Sequence, residues 1–312
     1  MILTYSIISR SWRKIKMKII VPATSANLGA GFDSIGLAVN LYLTIEVLEK
    51  AEAWRIDHDL GVNIPTDEKN LLLTTLSAVL AQKKQHLSAK YHLKMSSDIP
   101  LARGLGSSSS VIIAGIELAN QLAQLGLSDE EKLALACQIE GHPDNVAPAL
   151  YGNLVIASSA TKEVRAIKAK LPQCKLLAFV PDKELKTVAS RQVLPETLSY
   201  AQAVAASAVA NVLVASLLSG DLVTAGQMMK EDLFHEKYRS ALVPELAAFR
   251  EIGQTYGAYG TYLSGAGPTL MMLAPEEKIT LLLQHLTEKN WQGRFYELEI
   301  DSKGLQVEKS LL

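Results

Sequence analysis

The sequence predicts two units that each mix helix and strand. The chain, at 312 residues, is longer than a single hydrophobic core usually serves. Hydrophobic residues at 48% and charged residues at 20% fit a soluble globular protein and exclude a disordered one. Period-two and period-3.6 apolar patterns alternate along the chain, and near Ala160 charged residues replace apolar ones, which marks a boundary there. A formal net charge of -1 gives no general pull toward nucleic acid or an anionic membrane, and neither is expected as a partner. Cys137 and Cys174 lie far apart without metal-ligand spacing, which fits a reducing, cytoplasmic setting rather than a disulfide framework or a zinc site.

Residues 1–16 combine a short apolar start with Arg10, Trp12, Arg13, Lys14 and Lys16, in the wrong order for a secretory signal. They are expected to be an extension ahead of a first unit at 17–160 and a second at 161–312. A strand over Lys18 to Val21 leads into Pro22-Ala23-Thr24-Ser25-Ala26-Asn27-Leu28-Gly29-Ala30-Gly31-Phe32-Asp33. Small residues, short polar groups and two glycines suit either a binding loop or an ordinary turn. Leu41, Leu43, Ile45 and Val47 alternate with polar neighbours as a strand with one buried face. A helix follows from about Asn70 to Gln82, with Asn70 placed either to cap it or to meet a ligand.

Next come an alternating strand at Tyr91 to Met95 and the stretch Pro100, Leu101, Ala102, Arg103, Gly104, Leu105, Gly106, Ser107, Ser108, Ser109, Ser110, then an apolar helix. A strand, a glycine loop and a helix N-terminus in that order make an anion site, because free N–H groups and the positive end of the helix dipole face the loop. The lysine of the common G-x-x-x-x-G-K-[ST] phosphate loop is missing. Ser128 and Glu131 form a capping box for a helix from about Asp129 to Ile139. Glu140, His142, Asp144 and Asn145 then crowd into six positions around a turn at Pro143, and a strand returns over Gly152 to Ala157.

The second unit reads as α+β. It holds a strand at Lys175 to Val180, a loop from Pro181 to Pro195 carrying Thr187 and Arg191, and helices near Leu198 to Leu218, Leu222 to Met229 and Pro244 to Thr255. Strands at Gly260 to Leu263 and Leu270 to Leu273 flank Ser264-Gly265-Ala266-Gly267-Pro268-Thr269, and a helix at Glu276 to Glu288 and a strand at Arg294 to Ile300 follow. Arg239 sits just past a helix. The Ala201 to Leu218 stretch is interrupted by Gln202, Ser207, Asn211 and Ser216, so burial within the unit is expected, with a homodimer contact as the alternative.

Taken together, P-A-T-S-A-N-L-G-A-G-F-D, P-L-A-R-G-L-G-S-S-S-S and S-G-A-G-P-T, in this order, resemble the GHMP family of small-molecule kinases and, within it, the homoserine kinases; the likeness spans about residues 17 to 300. The resemblance implies a two-domain α+β fold, ribosomal-S5-like then ferredoxin-like, with ATP between the domains. It implies that the 100–110 loop holds the ATP phosphates without a lysine, that Ser108 and Glu140 hold Mg²⁺, and that Asn70 meets the base. For L-homoserine it implies Asn27, Asp33, His142, Asp144, Gly265 and Gly267 in substrate binding, with Thr187, Arg191 and Arg239 at the transferred phosphate or the substrate carboxylate. The mevalonate and galactose branches carry a lysine in the first motif, which Thr24-Ser25-Ala26-Asn27 lacks, and no general base is assigned. A kinase for another small alcohol, or a ligand-binding regulator, is the alternative.

Overall fold

The computed structural model describes residues 15–185 and 187–311. Residues 1–14 of the expected extension lie outside the described residues, and its last two continue the first strand, β1 (Ile15–Ala26).

β1 pairs antiparallel with β2 (Ile35–Ala51), whose length of 17 residues lets it pair further with β4 (Lys90–Ser97) and β5 (Leu154–Ser158). β3 (Arg55–Asp57) runs parallel to β4, β6 (Arg165–Ala169) pairs with β5, and β11 (Gln306–Leu311) pairs with β1. The result is a seven-stranded sheet with a spine ordered β11-β1-β2-β4-β3. The division expected at residue 160 therefore differs from the division between sheets, since β6 and β11 both join the first one. Their sequences hide this: Arg165, Lys168, Glu308 and Lys309 are what solvent-facing edge strands carry.

α2 (Ser107–Leu122) and α4 (Pro143–Tyr151) pack against this sheet, while α1 (Leu71–Gln82) packs on α2 and α3 (Asp129–Glu140) on α2 and α4. The capping box of Ser128 and Glu131 on α3 forms as expected. The expected turn after Glu140 is instead helix α4, entered through Pro143 at its first position, where a missing N–H costs nothing. α2 is buried along most of its length, with Ile112, Ile113, Ile116 and Leu118 in the core.

The second sheet has the order β10 (Gly293–Leu298), β7 (Lys175–Pro181), β9 (Leu270–Ala274), β8 (Gly260–Leu263), all antiparallel. Numbered within the unit this is 4-1-3-2, the arrangement of a ferredoxin-like sheet, as expected. α9 (Glu245–Tyr256) and α10 (Ile279–Thr287) cover it through Phe249, Ile252, Leu282 and Leu286, and Phe179 and Phe249 approach at 5.2 Å between ring centroids. The expected loop after β7 contains a short helix, α5 (Thr187–Gln192). α7 (Leu222–Lys230) and the one-turn α8 (Glu236–Arg239) then lead back to the cleft.

α6 (Tyr200–Ser219) departs from expectation. Only Ala206, Leu213, Ser216 and Leu217 are buried, while Tyr200, Val204, Val212 and Leu218 face outward. Alanine supplies much of its apolar character, so the helix needs only a narrow seam against α7 to stay in place. By length and composition it is apolar enough to cross a membrane, with 22% of its most apolar window buried.

Candidate active site

A cleft of about 470 Å³ opens where the three glycine loops meet. Asn27 and Asp33 come from the first loop, residues 101–104 and 106–109 from the second, and Gly265 and Gly267 from the third. Asn70, Glu140, His142, Asp144, Thr187, Arg191 and Arg239 complete the set expected from sequence. Pro100, Leu105 and Ser110 do not line the cleft. Leu105 is in the core, and Ser110 donates to the carbonyls of Pro22 and Gly106, which ties α2 to β1.

The second glycine loop is shaped by close approaches that only glycine permits. Gly106 precedes α2 with φ 69°, and a Cβ there would stand 2.0 Å from Thr24 Oγ1. Gly104, with φ +77°, has the Ser264 carbonyl 2.4 Å from where its Cβ would be. Because Gly106 is the N-cap residue, no side chain caps α2, whereas Asn70, Ser128, Ser199 and Asp221 cap α1, α3, α6 and α7. The first-turn N–H groups of α2 are thus left for an anion. Arg103 turns the other way: its guanidinium donates to the carbonyls of Pro181 at 3.0 Å and Asp182 at 2.7 Å, pinning the loop to the end of β7.

Asn70 resolves toward capping. Its side chain accepts from Leu72 N–H and donates to the Pro65 carbonyl while one edge lines the cleft. Leu43, Leu60, Ile64 and Met95 make that end of the cleft apolar. Toward the middle, Glu140 Oε1 accepts from Ser109 Oγ at 2.8 Å and stands 3.5 Å from Ser108 Oγ. Hydroxyl and carboxylate oxygens at this spacing suit a hard cation such as Mg²⁺.

At the opposite end, Arg191 on α5 grips both oxygens of Asp33, at 2.6 and 3.1 Å. Asp33, Asn27 and Leu28 all have positive φ, at 54°, 74° and 46°. The loop is held there by Asn27, whose side chain accepts from Asp33 N–H and donates to the Gly265 carbonyl. His142 Nδ1 is hydrogen-bonded to Asp144. Burial alone would lower the His142 pKa, but the hydrogen bond and charge of Asp144, helped by Asp33, outweigh it and raise it. Asn145 and Thr24, both in segments singled out from sequence, bond to each other at 2.9 Å beside Gly106.

Arg239 is 1% exposed, far from the solvated arginine a surface position would give. Burial first, then the positive charge of Arg191, lowers its pKa to about 10, which leaves it charged at neutral pH. Phe32 lies under both arginines, 5.5 Å from Arg191 and 5.3 Å from Arg239. Phe32, although inside the first motif, and Ser190 and His235 were not among the site residues expected from sequence. A single aromatic or serine carries no spacing signal, and only the topology brings Phe32 and Ser190 beside Arg239, whereas His235 stands one helical turn before it in the chain.

The chain matches the family models "GHMP kinases N terminal domain" over residues 70–153 and "GHMP kinases C terminal" over 213–291. It is 70% identical over 296 residues to a homoserine kinase of Lactococcus lactis, covering 95% of this chain and all of that one. It is 57% identical to one from Streptococcus pneumoniae, over 94% of this chain and 99% of that one. Among solved structures, a homoserine kinase candidate from Listeria monocytogenes is 43% identical and superposes with a TM-score of 0.83, over 94% of this chain and all of that one. The chain belongs to the GHMP kinase family, among its homoserine kinases.

Proposed function

We propose that the cleft transfers the γ-phosphate of ATP to the hydroxyl of L-homoserine, giving O-phospho-L-homoserine and ADP. The observation that carries the reading is the pairing, in one cleft, of an uncapped helix N-terminus with two guanidinium groups stacked on one ring, Phe32. The first suits the polyphosphate. The second suits a substrate bearing a carboxylate, and charge developing on the transferred phosphoryl group.

The nucleotide base would lie at the apolar end by Leu60, Ile64 and Asn70, with the phosphates against Gly104 to Ser109. Ser108 and Glu140 would hold Mg²⁺, which when bound neutralises phosphate charge. For the amino acid, Asp33 takes the ammonium. A carboxylate engaged by one guanidinium still has lone pairs to offer, and Arg191 fixes their direction. Arg239 takes the substrate carboxylate or the phosphoryl oxygens, and Thr187 stands near the transfer. The alcohol oxygen bonds to the γ-phosphorus as the bond from phosphorus to the ADP oxygen breaks, and the hydroxyl proton passes to the transferred phosphoryl group and on to solvent. Phosphoryl transfer depends mainly on positioning and charge, so no side chain is assigned as the base.

Converting a hydroxyl into a phosphate leaving group suits a step on the way to threonine. Two buried free thiols, Cys137 and Cys174, suit a cytoplasmic enzyme. A coupled assay for ADP with ATP, Mg²⁺ and L-homoserine is expected to show turnover that mevalonate does not support; no turnover with L-homoserine would refute the reading.

A further inference from the structure

We infer that His235 is a positioning residue for the reaction, acting through Arg239 as a neutral imidazole with its hydrogen on Nε2. The assignment follows from its neighbours. Arg239 Nη1 lies 3.0 Å from His235 Nδ1, and a guanidinium can only donate, so Nδ1 must offer its lone pair. Nε2 lies 2.8 Å from the Gly29 carbonyl, which can only accept, so Nε2 must carry the hydrogen. Asp232 Oδ2, 3.7 Å from Nε2, is a second acceptor on that same side. An imidazolium would aim an N–H at the guanidinium, and the other neutral tautomer would break both contacts.

The ring has no freedom to do otherwise. It is fully buried, stacked on Phe32 at 5.0 Å between centroids, and its backbone N–H is held by Asp232 at 2.9 Å. Arg239 spends its Nε hydrogen on the Ser190 carbonyl and its Nη1 hydrogens on His235 and the Gly265 carbonyl. The two hydrogens of Nη2 are what it has left for the cleft it lines. His235 therefore selects which edge of Arg239 meets the ligand. Through Gly29 it also ties that edge to the loop that carries Asn27 and Asp33.

The inference rests on the cleft being the phosphoryl-transfer site, but its first test does not. A long-range ¹H–¹⁵N spectrum of the histidine rings in the unaltered enzyme at neutral pH should show His235 with a bare Nδ1 and a protonated Nε2. Any other protonation pattern overturns the assignment whether or not the enzyme turns over. The second test separates positioning from packing. His235→Gln keeps a donor near Gly29 and loses the acceptor for Arg239, whereas His235→Asn keeps an acceptor near the Nδ1 position. kcat should fall about 20-fold or more in H235Q and recover most of the way in H235N, and adding H235Q to Arg239→Ala should cost nothing further. Equal losses in H235Q and H235N, no loss in H235Q, or a full extra loss in the R239A background would overturn it.

Discussion

Asn27 and Arg239 donate to the same oxygen, the carbonyl of Gly265, at 3.0 and 3.1 Å. One belongs to the first glycine loop and the other to α8, so the third loop is the joint between them. Asn27 also sits at φ 74°, a conformation that asparagine tolerates and alanine resists. Asn27→Ala should therefore lose both the hydrogen bonds and the backbone preference, and Asn27→Gly only the bonds. Measured by thermal unfolding, Asn27→Ala should be the less stable of the two by about 1 kcal/mol. Both should lower kcat/KM for L-homoserine by about 100-fold.

The bidentate contact between Arg191 and Asp33 depends on the planar fork of a guanidinium. Arg191→Lys keeps the charge and should still lose about 10²-fold or more in kcat/KM, with Arg191→Ala losing more. Steady-state kinetics at saturating ATP checks this; a lysine variant with unaltered kinetics would show that charge alone is needed.

Gly106 and Gly141 both have positive φ, at 69° and 95°, yet a Cβ at Gly106 would strike Thr24 whereas one at Gly141 meets nothing within 4 Å. Gly141→Ala should cost only local strain, about 1 kcal/mol in unfolding free energy. Gly106→Ala must also push Thr24 and its partner Asn145 aside. It should abolish ATP binding measured by calorimetry and lower the unfolding temperature further.

His142 sets a pH dependence. Its pKa is raised in the folded protein, so its pairing with Asp144 stabilises fully below the ordinary histidine value of about 6.5 and is lost as pH climbs through the raised one. The melting temperature of the enzyme should exceed that of His142→Asn most in acid, and the gap should shrink with rising pH above that value. A gap that does not vary with pH would show that the pair does not titrate in this range.

Much of this site could be read from the order of residues, because glycines, caps and clustered polar groups mark backbone needs that side chains cannot hide. Gly104, Gly106 and the Ser128–Glu131 capping box are of that kind. β6 and β11 were not legible. Strands with charged outward faces look like solvated coil until a partner edge is known, and their partners are β5 and β1. α6 misled in the opposite sense, since an apolar composition rich in alanine predicts burial that the packing does not deliver. His235 and Arg239 illustrate the third limit: four residues apart, they look like one exposed turn, and only the third glycine loop, α5 and the first loop closing over them turn them into a buried pair.

β11 lying beside β1 has a consequence for any attempt to take the protein apart. A fragment ending at residue 160 would lack β6 and β11, the two strands that flank β5 and β1. It would present bare backbone along Met17 to Ile20, ready to pair with another copy. Such a fragment should precipitate or self-associate, and adding the remaining chain in trans should rescue its solubility before it restores any chemistry. The two sheets are thus separate as layers yet inseparable as pieces.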